Sequence, residues 1–300
     1  MKDLERMNLL CHIDFSKEEV SEVEGFVAKL KQKYLWEEIQ QLAEEVMSVH
    51  PCGETLRMNL EKVEKLESEA GIHKYSLDLL LIIECALIFK RDFEEKVTQD
   101  DRLSMDIFYD SMKDITYKMH ECQKVYGVTG IFVGFWYDGF FDMTRFALGR
   151  LQFEMMPLWL SEPVCVAGTR LENGMEAINV HIPSSGPLTS ADSKQALAMA
   201  AEFFKDRFVG SPVVFVMASW LLDEDLMTLL PEGNIKEFVK HFQVINTNKS
   251  DSFDDGWRVF GNDWAKGISY LPRNTRLQKA IADYLQQGGK LGYGYGVMVV

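Results

Sequence analysis

Apolar positions recur at helical spacing over about the first 125 residues, then give way to short continuous runs. Val20, Val23, Phe26, Val27 and Leu30 mark one helical stripe, and Leu56, Leu60, Val63 and Leu66 another. Ser16 to Glu19 read as a capping box opening the first stripe. The serine hydroxyl accepts from the Glu19 amide while the Glu19 carboxylate reaches back. Gly71 closes the second stripe as a C-terminal glycine. Residues 76–95 and 101–124 predict two further helices, and Pro51 falls between two helical patterns. The most apolar run, LDLLLIIECALIF at 77–89, is too short to span a bilayer and carries Asp78 and Glu84. It predicts a buried helix.

Beyond Gly127 the pattern changes. Phe132, Phe135, Trp136, Tyr137, Phe140, Phe141 and Phe146 crowd one segment, which reads as core or domain interface rather than a ligand cage. Strand-like runs follow: LQFEMM (151–156), PVCVAGTRL (163–171), AINVHI (177–182), VVFVMAS (213–219) and GWRVFG (256–261). Asn173-Gly174, between the second and third, is a hairpin signal. Helical patterns intervene at 190–208, 223–229, 234–241 and 274–287, and the glycine-rich end of the chain reads as a last strand. The fold class is therefore α+β, with an all-helical domain at 1–125 and a mixed α/β domain at 126–300.

Composition narrows the partners. With 47% hydrophobic and 26% charged residues, the chain can build a sizeable core. The net charge of −14 opposes binding to phosphate backbones, so no nucleic-acid partner is expected. Cys11, Cys52, Cys85, Cys122 and Cys165 are odd in number and lack CxxC spacing, which fits a reducing compartment rather than disulfides or zinc. The remaining histidines show no metal-binding spacing, and no metal is expected. The N-terminus has no signal-peptide pattern, so the expectation is a cytoplasmic protein without a membrane partner.

One stretch stands out: HIPSSGPLTS, residues 181–190. An apolar strand leads into small residues, and a capping pattern at Thr189 to Asp192 opens a helix. A helix N-terminus presents unsatisfied amides and partial positive charge, a setting in which phosphates bind. Gly186 permits close backbone approach, whereas Pro183 and Pro187 each remove a donor. The loop lacks the lysine of a GxxxxGK[ST] motif, so the local chemistry leaves both an anion cradle and a plain turn open.

FALGRLQFE (146–154), INVHIPSSGPLT, ASWLLDEDLMTLLPEGNIKEFVKHF and LPRNTRLQKAIADYLQQGGKLGYGYG occur in this order. Together they resemble bacterial acyltransferase-domain proteins, which carry a helical N-terminal domain and a GNAT-like C-terminal domain. The resemblance covers residues 125–296. It implies an acyl-CoA-dependent N-acyltransferase, with acetyl-CoA or another acyl-CoA as co-substrate and a small-molecule or peptide amine as acceptor. In such folds a central strand splays from its neighbour, and the coenzyme's pyrophosphate rests on the following loop. That role falls here to Ser184, Ser185, Gly186, Leu188, Thr189 and Ser190. The family's usual Q/R-x-x-G-x-G/A loop is absent, which keeps open the alternative of a catalytically inactive binding module.

Direct attack of an amine on a thioester needs a base, an oxyanion donor and a proton for the leaving thiolate. His181 is the expected base, at the end of its strand beside the loop. Glu154, read as the end of a FALGRLQFE strand, would orient it or act as base. Ser219, at the end of the next strand, would protonate the sulfur. Arg145 and Arg150 are read as either anion binders or partners of nearby carboxylates.

Overall fold

The computed structural model describes residues 2–300, which divide into two compact units, one ending at Ala147 and the other running from Leu148 to Val300. The first is helical: α1 (Lys2–His12), α2 (Lys17–Gln32), α3 (Trp36–Met47), α4 (Gly53–Glu64), α5 (Glu67–Ala70), α6 (Lys74–Val97), α7 (Met105–Met112), α8 (Asp114–Tyr126) and α9 (Asp138–Phe141). Ser16 caps α2 through the expected reciprocal box. The apolar run at 77–89 lies inside α6, packed on α3, α4, α7 and α8. The pattern expected as one helix at 101–124 is two, broken at Lys113. No helix among the described residues is long and apolar enough to cross a membrane.

The helical unit extends past residue 125 because the aromatic segment packs into it. Phe141 lies 5.7 Å from Phe89, and the Ile131 amide donates to the Tyr75 carbonyl. Tyr137, Phe140 and Phe141 are fully buried, and the Arg145 guanidinium stacks 3.7 Å from the Trp136 ring centre while donating to its carbonyl. Arg145 is thus a structural cation, with Asp138 3.9 Å away.

Asp78 is buried on α6 with one carboxylate oxygen that meets no partner. Burial, with Glu64 adding repulsion against a weaker pull from Lys74, pushes its carboxyl up to about 8. The native state therefore holds a proton that the unfolded chain has released above the ordinary carboxylate range. Stability falls as pH rises from about 4 to about 8, and this contribution is fully present only below that window. Replacing Asp78 by Asn should raise stability at pH 8 by about 1–3 kcal/mol and flatten the dependence. Urea midpoints at pH 5 and pH 8 measure this; parallel profiles for the two proteins would refute it.

The second unit holds β2 (Leu151–Pro157), β3 (Val164–Val166), β4 (Thr169–Leu171), β5 (Glu176–His181), β6 (Val214–Ser219), β7 (Gln243–Lys249) and β8 (Gly292–Val299), with α10 (Ser190–Phe203), α11 (Glu224–Leu229), α12 (Asn234–Val239), α13 (Gly256–Phe260) and α14 (Arg276–Gln286). Counting β1 (Arg145–Leu148), which crosses the division, the main sheet runs β1-β2-β5-β6-β8-β7, and β3-β4 form a separate hairpin. β5 and β6 pair in parallel, whereas β2-β5, β6-β8 and β7-β8 are antiparallel.

Three expectations are corrected. FALGRLQFE is not one strand but β1 and β2 around a two-residue turn at Gly149 and Arg150, so Glu154 sits in mid-strand. PVCVAGTRL folds on itself as β3 and β4, and Asn173-Gly174 turns the chain without joining paired strands, because β5 pairs with β2 and β6 instead. GWRVFG is the short helix α13 followed by a 3-10 turn: Gly256 packs so closely on the Trp264 ring that a Cβ would lie 2.4 Å from it.

Candidate functional site

The β5-β6 pair carries the geometry of interest. Its parallel rungs are Ile178 with Phe215 and Asn179 with Val216. β5 continues to His181 and β6 to Ser219 with no further rung, so the strands part at their C-terminal ends. Backbone groups that no longer pair across this gap are available to a molecule lying in it.

Side chains alternate across a strand, so register fixes which of them meet. Glu154 stands opposite Asn179, and Gln152 opposite His181. All four share one face of the sheet, continued by Val214 and Val216 of β6. Phe153, Ile178 and Phe215 line the other face, with Phe153 and Phe215 6.2 Å apart. Leu158 and the β3-β4 hairpin, through Val166 and Leu171, cover part of the polar residues' face. Glu154 and His181 remain about a quarter exposed, while Gln152 is buried.

His181 Nε2 lies 3.1 Å from Glu154 Oε2 and 3.1 Å from Asn179 Nδ2. The ring nitrogen cannot serve both in one state: a protonated Nε2 donates to the carboxylate, and a bare one accepts from the amide. An ionised Glu154 selects the Nε2–H tautomer, with the Asn179 carboxamide turning its oxygen to the same proton. The imidazole lone pair then resides on Nδ1, and the carboxylate stabilises the imidazolium that forms when Nδ1 takes a proton.

The loop after His181 ends where expected. Thr189 is the N-cap of α10, its hydroxyl oxygen accepting from the Asp192 amide at 3.1 Å. The Thr189 hydroxyl donates to Asp192 Oδ2 at 2.5 Å. This occupies the Asp192 amide and leaves the first turn's Ser190 and Ala191 amides pointing out of the helix end. Leu188 is buried and anchors the loop. Gly186 has φ of +99° with open space where a Cβ would go, so backbone conformation rather than crowding demands the glycine.

These features are those of a known architecture. Residues 146–298 match the model of the GNAT-like C-terminal domain, and residues 5–143 that of the N-acyltransferase N-terminal domain. The chain belongs to this GNAT-like acyltransferase family. Similar solved structures agree on the fold of the GNAT-like acyltransferase. One is an acyltransferase in complex with decanoyl-CoA and teicoplanin: TM-score 0.72, 16% identity, spanning 97% of this chain and 86% of that one. Another is an acyltransferase mutant in complex with octanoyl-CoA, with TM-score 0.71, 16% identity and coverage of 98% and 87%. A third, in complex with CoA and 10C-teicoplanin, has TM-score 0.63, 15% identity and coverage of 98% and 99%. No curated protein matches the sequence.

Within the GNAT-like unit the structure brings His181 and Glu154 together beside the 184–190 loop, while Ser219 is apart. Its parity from Val216 places it on the opposite face, and its hydroxyl oxygen accepts from the Leu221 amide, capping a 3-10 turn. Arg150 donates to three loop carbonyls, those of Pro183, Gly186 and Pro187. Sequence reasoning missed Asn179 and Gln152. Their only signal is the period-two spacing from His181 and Glu154, which acquires meaning once the β2-β5 register is known.

Proposed function

We propose that this GNAT-like acyltransferase is acyl-CoA-dependent and transfers the acyl group to an amine on a small molecule or peptide. The observation that carries the reading is the His181–Glu154 contact at the mouth of the β5-β6 gap, next to a loop that opens a 14-residue helix. The co-substrate's pantetheine fits the gap as an extra strand-like partner. Its pyrophosphate fits the backbone from Ser184 to Ser190, with Leu188 holding the loop against the core and the α10 dipole favouring the negative charge. The amine nitrogen attacks the thioester carbonyl, the nitrogen–carbon bond forms and the carbon–sulfur bond breaks. His181 Nδ1 receives the amine proton, which then neutralises the thiolate. Teicoplanin in the similar structures favours a peptide-like acceptor, and their decanoyl and octanoyl groups place medium-chain donors beside acetyl among those to test.

Isothermal titration with CoA, acetyl-CoA, octanoyl-CoA and decanoyl-CoA checks the first half of this reading, with a Kd in the micromolar range as the expected result. Thiol release on mixing the bound donor with an amine panel that includes glycopeptides checks the second. Absence of heat with every donor at high micromolar protein would reject the proposal. Binding without thiol release across the panel would favour the inactive module, for which the two prolines and the Asp192 carboxylate at the helix start are the supporting observations.

A further inference from the structure

The Gly149-Arg150 pair within FALGRLQFE has no part in the chemistry above, yet Arg150 reaches the loop. Gly149 has φ of +67° and opens the two-residue turn between β1 and β2. A Cβ there would lie 3.3 Å from Met199 Sδ and 3.6 Å from Ala196, so the turn rests directly on α10. Arg150 is thereby delivered beside the loop that starts the same helix. Its Nε donates to the Pro187 carbonyl at 3.2 Å, one terminal nitrogen to the Pro183 carbonyl at 3.0 Å, and the other to the Gly186 carbonyl at 2.6 Å. The planar fork of an arginine spans three such acceptors; the single ammonium of a lysine does not.

Peptide geometry turns this contact into a statement about donors. The loop's bonds are trans; among the described residues the cis bond is at His50–Pro51. In a trans peptide the carbonyl and the next residue's N–H point in opposite directions. With the carbonyls of Pro183 and Pro187 drawn to Arg150, the amides of Ser184 and Leu188 are directed away from it. The Gly186 carbonyl sits on the peptide whose nitrogen belongs to Pro187, so that peptide offers no donor. Three carbonyls that would otherwise repel an anion are thus turned to the guanidinium, and the two N–H groups on the Pro183 and Pro187 peptides are turned the other way.

We propose that Arg150 is a positioning residue for acyl-CoA: it replaces the basic side chain absent from the loop by holding the loop backbone from behind, so that the Ser184 and Leu188 amides face the pyrophosphate. This rests on the acyl-CoA reading of the same loop. The anion is recognised by backbone, and the arginine acts through that backbone.

The test compares wild type, Arg150→Ala and Arg150→Lys in the full-length protein, using CoA as probe. Titration should show a Kd at least about tenfold weaker for the alanine variant and at least about fivefold weaker for the lysine variant. In turnover the effect should fall on KM for acyl-CoA, with kcat and the amine KM little changed. Backbone ¹⁵N relaxation in the free proteins reads the clamp without any ligand: order parameters at Ser184, Ser185 and Gly186 should fall below about 0.6 in both variants while the middle of α10 stays near 0.85. Full rescue by lysine would overturn the proposal, because a point charge would then suffice, as in direct contact with a phosphate. Equal CoA affinity in all three proteins would also overturn it and leave the acyl-CoA reading standing. No CoA binding by the wild type would reject that reading and the proposal together.

Discussion

Replacing His181 with alanine is expected to lower kcat for acyl transfer by about 10²- to 10⁴-fold, the usual contribution of a positioned general base. The Kd for acyl-CoA should remain within about threefold, because the anion-facing groups of the proposed site belong to the loop backbone rather than to the imidazole. The distinction matters, since a purely structural histidine at the end of β5 would disturb the adjacent loop and weaken coenzyme binding as much as turnover. Glu154→Gln refines the result. It preserves shape but removes the charge that holds the Nε2–H tautomer across the 3.1 Å contact, and should cost about ten- to a hundredfold in kcat. Thiol release with a saturating donor, followed alongside titration with CoA, separates the two quantities. If turnover in His181→Ala stays within about threefold of wild type, the imidazole is not the base, and Glu154 becomes the candidate.

The parts of this site that depend on local chemistry were legible in the chain. AINVHI is β5, the helix opens at a Thr189 cap, and His181 stands at the strand end where the apolar run meets small residues. Capping patterns carry their own hydrogen-bond logic, so they survive folding, as at Ser16 and Thr189. Parts that depend on register were not legible. Asn179 and Gln152 join the face only because β2 pairs antiparallel with β5 in one particular alignment, and a shift of one residue would send them to the opposite side.

Arg150 illustrates a second limit. The loop carbonyls that accept from it lie more than thirty residues away in the chain, and no side-chain pattern announces them. Gly149 was the available clue: a glycine between two apolar runs often marks a tight turn, and reading FALGRLQFE as one strand overlooked it. GWRVFG failed for another reason. Short apolar runs do not distinguish strand from helix, and the packing of Gly256 on Trp264 decided it.

The largest loss of stability in the GNAT-like unit is expected at Asp223, which belongs to the SWLLDEDLM stretch but takes no part in the proposed chemistry. Its side chain is completely buried, between the end of β6 and the start of α11. Oδ1 accepts from the Asp225 and Leu226 amides at 3.0 and 3.1 Å, capping α11. Lys249 Nζ, at the end of β7, donates to both oxygens at 2.8 and 2.7 Å, and the Gly292 amide, at the start of β8, donates to Oδ2 at 3.0 Å. One carboxylate therefore ties together the end of the sheet where β6, β7 and β8 come closest to the β5-β6 gap. In Asp223→Ala the cap is lost, the buried Gly292 donor has no acceptor, and Lys249 keeps only Asp225, 2.7 Å away. The cost should be about 3–5 kcal/mol, from the lost helix cap, the buried amide left without an acceptor and the broken ion pair together. Lys249→Met should also be strongly destabilising, because it leaves the fully buried carboxylate with three amide donors but no cation. The double variant should be more stable than the sum of the single losses predicts, since the two groups share one network. Urea unfolding of the four proteins measures the cycle. Strict additivity, or an Asp223→Ala protein within about 1 kcal/mol of wild type, would mean that the strand ends are held by apolar packing and not by this carboxylate.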